Sequence, residues 1–208
     1  MGHRRVRTRQ WLALPEKHDD QARRGYKAAQ VLITPDLTSA RLKGITVGGS
    51  YTADDAASCV RGCSPPALGC TCGFYALRRR DEALDLMRET LAANGLRHKA
   101  LLTVELDGEV LQYERGYRGE HQRVMGVEFE RVCARCSDLG RPRLASQLAA
   151  ARSYRLSPFA RTLAAPPSPA TRMLPVRPVC DDHVPEGAIV LTLGELAGLL
   201  ATEVSWLR

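Results

Sequence analysis

Aromatic residues are scarce in this chain, 5% of 208 positions, and no apolar run approaches the roughly 18 residues that a membrane helix needs. A helical membrane protein is thereby excluded, and a binding surface built mainly from stacked rings is disfavoured. Lysine is almost missing, four of 30 cations, the others being arginine. Acids are absent from residues 139–180, a stretch that carries Arg141, Arg143, Arg152, Arg155, Arg161, Arg172 and Arg177. No solenoid-period repeat, P-loop, dinucleotide fingerprint, nucleophile elbow or H-E-x-x-H stands in the chain, which removes the common nucleotide-binding and hydrolase signatures.

What is present is ordinary globular material, 44% apolar and 25% charged, enough for one compact domain or two small ones. The net charge is +7, and the seven arginines of the acid-free stretch account for it. Arg4, Arg5, Arg7 and Arg9 make the first residues basic as well, but 11–14 are apolar only briefly before Pro15. That pattern reads as a polar arm rather than a signal peptide, and the chain is expected to be cytosolic.

The pattern divides the chain into a basic N-terminal arm (1–24), a β-rich core with a cysteine loop (25–136), an Arg- and Pro-rich connector (137–179) and a C-terminal piece ending in a helix (180–208). Strand-like runs at 28–34 and 41–47 suggest a hairpin, and 73–77 a further strand. Asp81 reads as an N-cap, with Ala83, Leu84, Met87 and Leu91 at helical spacing and Asn94-Gly95 as the stop. Runs at 101–106 and 109–113 flank Asp107-Gly108, the signal of a type I′ hairpin. Gly116 and Gly119 then interrupt, and 122–129 resumes as a strand. Residues 142–152 suggest a short Ala-rich helix, and 164–178, with five prolines, an extended connector. Thr192 with Glu195 forms a capping box that opens a helix carrying Leu193, Leu196, Leu199 and Leu200. This last helix resembles the first helix of a helix-turn-helix, but only six residues follow Thr202, leaving no room for a recognition helix.

Seven cysteines, an odd number, argue for metal rather than a disulfide framework in a cytosolic chain. Cys133-Ala-Arg-Cys136 has the two-residue gap that turns two thiolates onto one ion, and Cys180-Asp-Asp-His183 repeats the gap after a long insert. Three thiolates and one imidazole make a closed tetrahedral set suited to structural zinc, provided that the insert loops out. The remaining four, Cys59, Cys63, Cys70 and Cys72, are a complete second complement for another zinc. Their one-residue gap is less characteristic, and buried cysteines also serve as small core hydrophobes.

Around these ligands, Cys70-Thr-Cys72-Gly73-Phe74-Tyr75-Ala76 and Gly116-Tyr117-Arg118-Gly119-Glu120 resemble a group of uncharacterised bacterial proteins. That group pairs a C-x-C-G-[IF]-Y-A motif with a G-[YW]-R-A-E-like motif, followed by cysteine pairs. The resemblance spans about residues 26–136 and implies a small β-rich zinc module without a catalytic residue.

A cysteine nucleophile would need Cys70 or Cys72 activated by His98 or His121. The acids Glu105, Asp107, Glu109 and Glu114 read as a solvated hairpin tip rather than an acid/base cluster. The sequence therefore points to an α+β fold, a small antiparallel β-core with one amphipathic helix, zinc knuckles and a C-terminal helix. The expected function is a non-enzymatic zinc-binding module contacting nucleic acid through Arg141, Arg143, Arg152, Arg155 and Arg161. Tyr154 and Phe159 could stack on bases there. A protein-interaction adaptor is the alternative, and a zinc- or cysteine-dependent hydrolase the third reading.

Overall fold

A computed structural model describes residues 15–44, 49–93, 100–151 and 173–207. The strands are β1 (Lys17–Asp19), β2 (Arg23–Ile33), β3 (Ala40–Gly44), β4 (Ser50–Tyr51), β5 (Asp54–Ala56), β6 (Phe74–Leu77), β7 (Ala100–Tyr113), β8 (Gly116–Phe129), β9 (Gln147–Ala150), β10 (Leu174–Val179), β11 (Ile189–Leu191) and β12 (Glu203–Trp206). The helices are α1 (Arg80–Ala93), α2 (Ala134–Asp138) and α3 (Leu193–Leu200), with a 3-10 turn at Asp181–His183. The α+β expectation holds, but the sheet is larger than a small core. Its main path runs β1-β7-β8-β6-β2-β10-β9-β11, with β3, β4, β5 and β12 attached beside it. Strands come from all four stretches of the sequence.

The long antiparallel pair β7–β8 is the spine of the fold. Alternate positions of β7, Leu102, Val104 and Leu106, meet Ala29, Val31 and Ile33 of β2 and Leu148 of β9 in one core, as the period-2 geometry of a strand dictates. The opposite face of the sheet packs Ala28 and Leu101 against Ala83 and Met87 of α1. Since β2 pairs with both β6 and β7, the strands β7, β8, β6 and β2 close a ring of hydrogen-bonded neighbours.

Asp107-Gly108 is not a hairpin turn. β7 runs straight through it, and the pairing passes from Asp107↔His121 to Val110↔Gly119 across a bulge. A type I′ turn needs positive φ at both central residues; here only Gly108 has it, at φ 69°, the arrangement of a glycine bulge. The chain reverses instead at Glu114-Arg115, between the paired Tyr113 and Gly116. A second irregularity, between Thr103 and Val104, leaves Met125 exposed on β8 and restores the register. Gly116 and Gly119 lie inside β8, where a Cβ on Gly119 would come within 2.9 Å of the Leu106 Cβ. Gly119 thus allows close approach of the strands, and neither glycine ends β8.

Other expectations are also revised. Residues 147–150 form β9 rather than part of an Ala-rich helix, because both edges of this segment are taken by β10 and β11. Pro175 and Pro178 sit inside β10. Asp81 lies within the first turn of α1, paired with Arg79, and the stop at Asn94-Gly95 is outside the described residues. The Thr192/Glu195 capping box is present. After α3 the chain enters β12, which pairs in parallel with β8. Among the described residues no helix is long and apolar enough to cross a membrane.

Candidate metal centres

Cys133 and Cys180 share one local design. Each stands in extended backbone, at φ −61°, ψ 120° and φ −90°, ψ 166° respectively, immediately before a helical turn that returns the residue three positions on. Neither side chain caps its helix, so both sulfurs are free to face inward with Cys136 and His183. The loop carrying Cys133 is closed by the Val132↔Leu144 bridge and by the Cys133 amide donating to the Arg143 carbonyl at 2.8 Å.

The two halves, 44 positions apart from Cys136 to Cys180, are joined by the sheet. β9 follows α2 closely, and its Gln147 is paired with Val179, the residue before Cys180. The strands on either side of residues 152–172 are thus paired with each other, from Gln147↔Val179 to Ala150↔Val176. Asp181 and Asp182, the two residues inside the second gap, clamp the halves. Asp181 accepts from the Ser146 hydroxyl at 2.7 Å and the Gln147 amide at 3.2 Å, and Asp182 pairs with Arg143.

The result is one compact set. Cys136 Sγ lies 3.8 Å from Cys180 Sγ, and His183 Nδ1 lies 3.3 and 3.2 Å from those two sulfurs. A tetrahedral ion about 2.3 Å from each sulfur would hold them about 3.8 Å apart. All three cysteines are buried and His183 is half-buried. Burial pushes the Cys136 thiol up to about 11, reinforced by hydrogen bonding to Cys133. Burial also acts upward on Cys133, but its interactions with Cys136 and Cys180 together outweigh it and leave that thiol lowered.

The second set is local. Cys59, Cys63, Cys70 and Cys72 lie on the loop between β5 and β6, all half-buried. The Sγ separations are 3.1 Å for Cys59 and Cys63, 3.4 Å for Cys63 and Cys72, and 3.7 Å for Cys59 and Cys70. A hydrogen bond from Cys63 pulls the Cys59 thiol down to about 6, while the same bond pushes Cys63 up to about 12. Two thiols sharing a proton in this way are poised to exchange it for a cation. In each set the ligand atoms lie within 4.8 Å of one another, and among the described residues these are the groups of three or more Cys, His, Asp or Glu that converge so. Each could hold a metal ion.

Sequence reasoning did not assign a role to Arg118, which holds the second set in place. It is 1% exposed, and its two Nη atoms donate to the carbonyls of Cys70 and, at 2.9 Å, Ala67. The Tyr75 hydroxyl adds a bond to the Thr71 carbonyl at 2.7 Å. Gly73, at φ 110°, is required beside it, since a Cβ there would meet Arg118 Cγ at 2.9 Å. The signal was present in the C-x-C-G and G-Y-R motifs. β6 pairs with β8 through Phe74↔Gly119, Tyr75↔Arg118 and Ala76↔Tyr117, so the two motifs are adjacent strands of one site.

The remaining sequence candidates do not converge on the sulfurs. His121 lies 3.5 Å from Asp107 and His18 3.7 Å from Glu109, at the β7 bulge; His98 is outside the described residues. Arg141 and Arg143 are exposed beside the first set, with Arg143 already paired to Asp182. Arg152, Arg155 and Arg161 lie outside the described residues, as do Tyr154 and Phe159. No family model, curated protein or solved structure matches the chain.

Proposed function

We propose that the chain is a zinc-stabilised binding module, with one zinc on Cys133, Cys136, Cys180 and His183 and a second on Cys59, Cys63, Cys70 and Cys72. The observation that carries this reading is the convergence of two complete four-donor sets. Soft thiolates favour zinc over hard cations, and a set in which all four positions are protein ligands leaves none open for a reacting water, so the metals act as structural cross-links. Cys70 and Cys72 serve as ligands in this reading rather than as nucleophiles. The likeness to the bacterial group with the C-x-C-G and G-[YW]-R motifs agrees with it, because those motifs build the second set. Elemental analysis of the purified chain tests the assignment: two equivalents of zinc are expected, and none would overturn it.

The partner we infer is nucleic acid, contacted through the acid-free arginine segment, because clustered guanidinium groups without competing carboxylates neutralise phosphates. Replacing Arg152, Arg155 and Arg161 by Gln should flatten the salt dependence by about 0.7 to 0.9 in log–log slope for each phosphate no longer neutralised, with zinc content unchanged. Failure of the wild-type chain to retain DNA or RNA at about 50 mM salt would remove this partner. A protein adaptor is favoured by a different observation. Val60 and Leu68, at 105% and 61% exposure on the cysteine loop, and Leu139 and Leu144, at 55% and 70% beside the other set, present aliphatic groups to solvent at both centres.

A further inference from the structure

Lys27 of β2 points toward the main core, on the same strand face as Ala29, Val31 and Ile33. Its ammonium lies 4.7 Å from the centre of the Tyr51 ring and 5.5 Å from that of Phe74, and donates to Gln122 Oε1 at 2.8 Å. An ammonium carries three donors, so one bond to a neutral amide leaves capacity unused. The same place holds two more unfilled groups. The Tyr51 hydroxyl and the Gln122 Nε2 are buried and interact only with each other, neither making a full hydrogen bond to another group, on residues 8% and 1% exposed. A buried polar group without a good hydrogen bond is costly, and here two such groups stand beside an amine that has no carboxylate partner among the described residues.

The charged and titratable groups around Lys27 sharpen the character of the site. From β7 the core positions are Leu102, Val104 and Leu106, and from β6 Ala76. Tyr51 is titratable, but burial pushes its phenol up, so it remains a neutral donor. Asp55 stands opposite Gln122 across β5–β8, yet its carboxylate accepts from the Thr52 amide at 3.0 Å. Burial without a counter-charge lowers the Lys27 amine to about 7. The free capacity is thus the remaining donors of the ammonium beside a phenol and a carboxamide NH₂ that reach only each other, and what satisfies them better is an acceptor, with negative charge preferred.

We propose that Lys27, Tyr51 and Gln122 form a binding site for a small oxyanion, the carboxylate or phosphate of a small-molecule ligand. Lys27 supplies the charge, Gln122 Nε2 and the Tyr51 hydroxyl fix the orientation, and the Phe74 ring walls the site. Lys27 as a residue is half-buried, while the Tyr51 hydroxyl and the Gln122 Nε2 themselves are closed to solvent. The site shares no ligand with either cysteine set, and it stands or falls independently of the metal reading.

Four lysines make the test direct. Full-length, metal-loaded protein carrying ¹³Cε-lysine is titrated with pH in chloride, in acetate and in inorganic phosphate at matched ionic strength, the Lys27 signal being assigned by its loss in Lys27→Arg. The expected result is an upward shift of the Lys27 midpoint by about one pH unit, a tenfold change in proton affinity, in acetate or phosphate but not chloride. Whichever anion shifts it identifies the ligand class. By linkage that anion should bind about tenfold tighter below the midpoint than above it. Gln122→Met, which keeps the lysine and its signal, should abolish most of the shift. Identical midpoints in all three salts, or a full shift in Gln122→Met, would overturn the proposal and leave a bridging water as the partner of these groups.

Discussion

Cys133, Cys136, Cys180 and His183 come from segments 44 positions apart and their thiols are buried, whereas Cys59, Cys63, Cys70 and Cys72 share one half-buried loop. An ion in the first set would close a long chain loop and tie the β9–β10–β11 region to the end of β8, a large restriction of the unfolded chain. An ion in the second set would close only short loops on a scaffold already held by β6–β8 pairing and Arg118. Two centres with the same donor number are therefore expected to differ in what they do: one joins the fold, the other shapes its surface.

The strongest way to break this contrast is to remove one ligand from each. Cys133→Ser should lose one zinc equivalent and most soluble, folded protein, since a structural zinc contributes on the order of 10 to 16 kcal/mol against about 5 to 15 for a whole domain. Cys59→Ser should lose the other equivalent while keeping protected amides across β7 and β8 in hydrogen exchange. If the two variants unfold alike, the division of roles is wrong.

Arg118→Met sharpens the contrast without touching a ligand. Two loop carbonyls lose their donor, and zinc affinity at the second set should fall about 10- to 100-fold, with the first set unaffected. Competition with a graded series of chelators reads both values. Thiol reactivity gives a further separation. Metal-loaded protein should resist alkylation, whereas after chelation near neutral pH Cys59 should react ahead of Cys63, because its thiol is lowered to about 6 and that of Cys63 raised to about 12. The Cys59 rate should fall as pH drops through about 6, when the thiolate is protonated; equal rates at the two cysteines would contradict the arrangement. The smallest effect is expected from Thr192→Ala, which removes the capping box at α3. About 1 kcal/mol of stability should be lost, read by denaturant unfolding, with zinc stoichiometry unchanged.

The halves Cys133/Cys136 and Cys180/His183 were legible from spacing because the turns that gather them are local. An extended cysteine followed by one helical turn brings its partner back three residues on, whatever the rest of the fold does. The capped α3 was legible for the same reason, as was the apolar face of α1. Asp107-Gly108 misled because the dipeptide specifies one positive φ without specifying whether its neighbour follows; the β8 partner decided for a bulge. Residues 147–150 carry alanines suited to a helix, and only strands on both sides made them β9.

By itself, then, the sequence determined which side chains could share a metal, where two helices run and that one segment carries the positive charge, all properties of short range or of composition. Only the tertiary structure decided that β9 and β10 carry Cys180 to Cys133. It alone set Arg118 beneath the cysteine loop, joined the two glycine-containing motifs as one pair of strands, and left Lys27 beside Tyr51 and Gln122. Those outcomes depend on strand partners and register, and register is set by contacts between residues far apart in the chain.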